Sequence, residues 1–191
     1  MYFQNTNPFS LHEIIPSTKR TVFISHYKGD IDEVNKFIDD NQNIFEPKAL
    51  GVKDNDDFIN STDTDYVMNQ IRERYIKDST VTIVLIGSCT HSRRYVDWEI
   101  KSSLRQGRYT PNGLIGILLP SQGDRAYLPE RFKLNKDSGY ATYYSYPKTQ
   151  EQLRMWIEDA HNARQARANL IVNHQEIIKY NTRCKVCGVT H

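Results

Sequence analysis

The stretch STVTIVLIG, residues 79–87, decides how this chain folds. It is a near-continuous run of β-branched and aliphatic residues that ends in glycine, with no alternation of polar and apolar positions. A strand that is apolar on both faces needs cover on both faces, which is the situation of a central strand in a parallel sheet. The sequence on either side must then supply flanking strands and the helices that cover them.

Upstream, RTVFISHY (20–27) follows the polar entry PSTK and reads as a second buried strand. After Gly29, DIDEVNKFIDD (30–40) puts Ile31, Val34, Phe37 and Ile38 at helical spacing, with carboxylates in the first turn where they complement the helix dipole. Residues 42–63 are rich in Asn, Asp, Gly and Pro and read mostly as loop, with KALGV (48–52) as a short strand. TDTDYVMNQIRERYI (62–76) reads as a helix capped by Thr62 or Asp63. Downstream come the loop SCTHS (88–92), the helix RRYVDWEIKSSLRQG (93–107), the strand GLIGILLP (113–120) and a short strand in ATYYSY (141–146). Residues 149–180 read as helix.

This order predicts an α/β fold: an open, mostly parallel, flavodoxin-like sheet with helices on both faces and a C-terminal helical extension. The chain divides into an N-terminal extension (1–19), the α/β domain (20–160), and a C-terminal helix with a Cys/His tail (161–191). At 191 residues, 38% of them hydrophobic, it has enough for one well-buried domain. Its 25 Lys and Arg against 23 Asp and Glu leave a net charge of +2, which gives no electrostatic case for a nucleic-acid or membrane partner. There is no apolar run of about 20 residues and no basic-then-apolar leader, and three cysteines make no disulfide framework, so a cytoplasmic protein is expected.

Ligands of such sheets bind beyond the carboxyl ends of the strands. Here that rim comprises Ser25, His26 and Tyr27, then Gly87 to Arg94 with Ser88 among them, and the loop after Leu119. Glu99 lies on the helix behind the central strand, bordering the face formed by Val96, Ile100, Ser103 and Leu104, with Tyr95 one turn before it. Two readings are open. Glu99 is a solvated helix residue paired with an arginine, Lys101 or Ser103, or it is a partly desolvated carboxylate able to stabilise a developing cation. Arg93 and Arg94 oppose the dipole of that helix. An arriving phosphate or diphosphate would compensate them, as would the acidic loop of Asp54, Asp56 and Asp57.

VFISHY in the first strand, VTIVLIGSCT in the third and RRYVDWEI behind it together resemble TIR-like domains, specifically the TIR-like subunit of bacterial Thoeris antiphage defence systems. The resemblance spans roughly residues 20–120. It implies that Glu99 is the catalytic residue for cleaving the nicotinamide–ribose bond of NAD+. The site would then place Arg93 or Arg94 on the diphosphate, with His26 or Tyr27 lining the nicotinamide–ribose pocket. It further implies a cyclic or conjugated ADP-ribose signalling nucleotide, a separate effector protein that reads it, and a phage-derived trigger. A non-enzymatic TIR-like interaction module and a nucleoside hydrolase or deoxyribosyltransferase are the rival readings.

The tail offers a further pattern: Cys184, Cys187 and His191 have the spacing of three ligands of a structural zinc, with His174 as a candidate fourth. The competing reading is an unliganded tail, or a contact with a second copy of the chain. Cys89, in the rim loop, has no base at an argued distance and reads as a small buried or loop residue.

Overall fold

The computed structural model describes residues 19–52, 56–122 and 126–191. All but the last residue of the expected N-terminal extension, and Asp54 of the acidic loop, lie outside them. Five strands form one sheet: β1 (Arg20–Ser25), β2 (Phe45–Leu50), β3 (Val81–Ile86), β4 (Gly113–Leu118) and β5 (Thr142–Tyr144). All neighbouring pairs are parallel and the order is β2-β1-β3-β4-β5, the flavodoxin-like arrangement expected from the sequence. The helices are α1 (Ile31–Asn41), α2 (Thr64–Ile71, extended by a π-type turn, Arg72–Ile76), α3 (Arg94–Ser103), α4 (Glu130–Asp137) and α5 (Gln150–Ala166). No helix among the described residues is long and apolar enough to cross a membrane.

β3 shows why its sequence lacks alternation. Val81, Ile83 and Leu85 pack with α1 (Val34, Phe37) and α5 (Leu153, Ile157, Ala160) on one face. Val84 and Ile86 pack with Val96 and Ile100 of α3, Leu104 just beyond it, and Phe132 of α4 on the other. Phe23 of β1 turns to the same side as α3 and meets Val67, Met68 and Ile71 of α2. Asp63 caps α2 by accepting the Tyr66 N–H at 3.0 Å.

The second strand begins earlier than KALGV suggests, at Phe45, and includes Pro47, which an edge strand tolerates. The helix read through Tyr180 ends at Ala166, and a 3-10 turn follows at Ala168–Leu170. Residues 171–191 form no helix but an irregular strap laid along α3. From Val172 to Ile178 its backbone is held by side chains of the domain. The Trp98 indole N–H donates to Ile178 O at 2.8 Å, and Lys101 donates to Asn173 O and Gln175 O. Arg131 donates to Gln175 O and Glu176 O while paired with Asp97 at 2.8 Å. Asn135 exchanges two hydrogen bonds with the backbone of Val172.

α4 was not evident in the sequence. Its inward face carries Arg131 and Asn135 beside Phe132, all buried, so the hydrophobic periodicity that announces a helix is missing.

Two further contacts fix α3 relative to the sheet. At its C-terminal end the Asn112 N–H donates to Ser103 O at 2.8 Å, and the Ser103 hydroxyl meets that of Thr82 on β3 at 2.7 Å. Arg72 joins this buried group through Asn112 Oδ1 at 3.1 Å and Thr110 O at 2.8 Å.

On the opposite face α5 lies directly on β4, and a Cβ at Gly113 would overlap the carbonyl of Ala160. Gly113→Ala should therefore cost about 2 kcal/mol through overpacking and lower the melting temperature by roughly 4–8 °C. An unchanged thermal midpoint would show that the α5–β4 contact is looser than this.

Candidate active site

The chain leaves β1 toward β2 on one side and crosses to β3 on the other, so the carboxyl ends of β1 and β3 form the crevice where this fold places ligands. Ser25 is the last residue of β1. α3 carries Glu99 to this point, and its Oε2 accepts a hydrogen bond from Ser25 Oγ at 2.5 Å. The other oxygen, Oε1, accepts the Val52 N–H at 2.7 Å. That amide is delivered by a register slip between β1 and β2, which sets Leu50 beside Ile24, followed by a turn at Gly51 with φ of +62°. A side chain at Gly51 would be strained by that φ and would stand 3.3 Å from Glu99 Oε1 and 3.6 Å from the His26 ring.

Glu99 is 1% exposed, which excludes the solvated reading. Both of its hydrogen-bond partners among the described residues are neutral. Burial pushes its carboxyl up to about 8, against the opposing pull of Ser25 and Val52, so the group is predominantly a neutral acid at pH 7. His26 lies against the same glycine, with Nδ1 buried and unpartnered among the described residues, and burial lowers its pKa. The neighbouring hydroxyls of Ser102 and Ser103 bond elsewhere. Ser102 donates to Met68 O at 2.9 Å, and Ser103 belongs to the group around Thr82.

The remaining rim residues fall into two other groups. Arg93 is buried, with Nε on Cys89 O, one terminal nitrogen on His191 O, the other on Ser92 Oγ, and its guanidinium 4.5 Å from the Tyr27 ring centre. Tyr27 in turn leans on the His191 ring. Ser88 accepts from Gln122 Nε2. Arg94 donates to Tyr95 Oη at 2.8 Å and to Lys179 O at 3.3 Å. With Trp98 it lines a cleft of about 280 Å³ between the 59–64 loop and the strap, of which Glu99 is not a lining residue. The structure thus brings Ser25 and His26 to Glu99 and commits both arginines to the strap. Asp57 pairs with Arg74, not with either of them.

One acid on this rim was not singled out from the sequence. Asp30 reads as a helix-dipole carboxylate, yet it folds against Gly87 at the end of β3, where any Cβ would overlap its Oδ2. Burial foremost, reinforced by Glu33 and opposed by Thr90 and Arg93, raises it to about 6. The tail also finds a partner the sequence did not pair with it. Cys89 lies among Cys184, Cys187 and His191, whereas His174 is exposed beside Gln175.

The buried carboxyl has a consequence for stability. Between about pH 4.5 and about 8 the unfolded chain releases the Glu99 proton while the folded chain retains it, so stability falls as pH rises through this window. Glu99→Gln, which can still accept from Val52, removes that loss. The variant should be more stable than the parent by roughly 2 kcal/mol or more at pH 7.5, with the gap closing near pH 4, as read by urea denaturation. A gap independent of pH would mean that Glu99 is ionised in the folded state.

No curated protein matches the chain. Residues 23–124, more than half of its length, match the family described as Thoeris protein ThsB, TIR-like domain. That span opens in β1 and runs past β4, taking in the Glu99 crevice. With a five-stranded parallel sheet of matching type, the chain belongs to the Thoeris ThsB TIR-like family and is a TIR-type defence module.

Proposed function

We propose that this protein cleaves NAD+ at the nicotinamide–ribose bond, with Glu99 as the catalytic residue. The observation that carries the reading is a buried carboxyl, held by a hydroxyl and a backbone amide, at the crossover of a parallel sheet. The nicotinamide of NAD+ is already cationic, so the bond breaks with its electron pair passing to the ring, and nicotinamide departs neutral without an acid. The ribose left behind has oxocarbenium character, and one ionised carboxylate can stabilise it or capture it transiently. Ordinary glycoside hydrolysis needs a second carboxyl to protonate its leaving group, and this chemistry does not.

A resting acid with a pKa of about 8 suits such a substrate. An approaching pyridinium favours the carboxylate, and its proton passes to water as the crevice opens to admit substrate, so the anion is formed where the cation develops. Ser25 positions the carboxyl, and its hydrogen bond opposes the effect of burial. His26 borders the same space as a neutral ring. Arg93 and Tyr27 shape the rim through the strap. The ADP-ribose portion goes on to water, adenine, a ribose hydroxyl or another nucleophile, and a separate effector reads the product after a phage-derived trigger.

One observation favours the rival reading of an interaction module. The Gly51–Val52 backbone covers Oε1, and Glu99 is out of contact with solvent. On the enzymatic reading this cover must lift, which makes the resting state silent.

Incubation with NAD+, with and without extract of phage-infected cells, should release nicotinamide detectable by mass analysis. Glu99→Gln should cut the rate by about a hundredfold or more. NAD+ consumption at the parental rate in a folded Glu99→Gln protein overturns the assignment. No turnover in either condition, together with concentration-dependent assembly, supports the interaction module. Because the free enzyme must ionise Glu99, kcat/KM should rise about tenfold per pH unit and level off near pH 8. Ser25→Ala removes a hydrogen bond that favours the anion, so it should move that limb to higher pH. A limb that stays in place would show that Ser25 does not act on the carboxyl.

A further inference from the structure

Three thiols and an imidazole converge where the strap meets the rim loop between β3 and α3. Cys89 Sγ lies 2.9 Å from Cys184 Sγ, 3.4 Å from Cys187 Sγ and 3.5 Å from His191 Nε2, while Cys187 Sγ lies 3.1 Å from His191 Nε2. The ligand atoms of Cys89, Cys187 and His191 all fall within 4.8 Å of one another, and Cys184 joins them through Cys89. All three cysteines are free thiols. We propose that Cys89, Cys184, Cys187 and His191 bind one zinc ion that fastens the C-terminal strap to the rim loop.

The donor set and its geometry carry this. Three sulfurs and one nitrogen are a closed structural zinc set, and Zn–S bonds of about 2.3 Å in a tetrahedron require sulfurs about 3.7 Å apart. The Cys89–Cys187 and Cys89–His191 separations are within a few tenths of an ångström of such edges. Cys184, at 2.9 Å from Cys89 and outside the 4.8 Å group of the other three, closes the set by turning away from Cys89 and toward the remaining donors. The strap is shaped to present the pair. Between Cys184 and Cys187 the chain makes a tight turn in which Gly188 N–H donates to Cys184 O and Cys184 N–H donates to Val189 O, both at 2.9 Å, with Gly188 at φ of +75°.

The surroundings suit a bound ion as well. Cys89 O accepts from Arg93 Nε, and His191 O accepts from Arg93 and from Asn181 Nδ2, so the ligands on both sides are oriented by outer contacts. Thr182 N–H donates to Ser92 O at 3.0 Å, and Lys185 N–H donates to His91 Nε2 at 3.0 Å, tying the strap to the loop on either side of Cys184. Three thiolates and a neutral imidazole around a divalent ion leave a net negative charge, which the adjacent Arg93 guanidinium balances. Local sequence could not assign the fourth ligand, because Cys89 precedes the tail by some ninety residues and only the fold brings them together.

The proposal does not depend on NAD+ turnover and is tested apart from it. The full-length protein, purified under reducing conditions with zinc and then dialysed, should hold one zinc per chain by elemental analysis. Cobalt reconstitution should give the intense visible and near-ultraviolet thiolate bands of a tetrahedral site. Cys89→Ser should reduce retained zinc by at least about half, whereas His174→Ala should retain the full complement. Chelation should lower the melting temperature by about 5 °C and speed hydrogen exchange about tenfold or more in residues 178–191 and 88–94. Absence of stoichiometric zinc with no cobalt spectrum overturns the site in the parent protein, whatever the variants do. Full zinc retention in Cys89→Ser overturns the role of the rim loop, and a Cys89–Cys184 disulfide found in the purified protein overturns the ligand set.

Discussion

Keeping the carboxyl of Glu99 dry at the crossover between β1 and β3 constrains every element around it. An uncharged acid in that position still needs its oxygens satisfied, and an unsatisfied buried polar group costs about 1–3 kcal/mol. One oxygen takes the hydroxyl that ends β1, which fixes how far α3 reaches along the sheet. The other takes an amide that exists only because β2 slips register and the chain then turns at Gly51. α3 is therefore set at Glu99 by two strands, at Ser103 by the polar group of Arg72, Asn112 and Thr82, and along its outer side by the strap. Its burial on all of these sides explains why a helix of only ten residues contains Asp97, Trp98 and Glu99, all nearly inaccessible.

What the sequence revealed and what it hid divide along a physical line. Where burial is apolar and periodic, as in β3, β4, α1 and the stripe of α3, the pattern leads straight to the fold, and the order of elements leads to the strand order. Glu99 was legible through its place on the helix behind the central strand and its likeness to a TIR-like pattern. Its degree of burial was not, since that depends on Val52, which arrives from another strand. α4 and the strap were hidden because both are held by polar groups. Arg131 and Asn135 face inward from α4, and the stretch after Ala166, read as helix through residue 180, belongs to a chain whose carbonyls are claimed by Trp98, Lys101 and Arg131. Tertiary hydrogen bonds overrode local preference there.

The two arginines ahead of α3 illustrate the same division. A pair of cations at a helix N-terminus demands compensation, and the sequence suggested an anionic ligand or the acidic loop. The structure answers with carbonyl oxygens: His191, Cys89 and Lys179 receive the guanidinium N–H groups, and aromatic rings of Tyr27, Tyr95 and Trp98 cover their faces. Both side chains are therefore linked to the strap, and whatever loosens one frees the other.

The strap also imposes an order of events on a newly made chain. It is synthesised after every segment it covers, so the Asp97–Arg131 pair, the Trp98 indole and the thiol of Cys89 have no strap over them until it is made. Until then the α3 side of the domain lacks the cover that the strap supplies in the folded chain. It closes only when the last stretch of residues described in this structure has emerged and found its place.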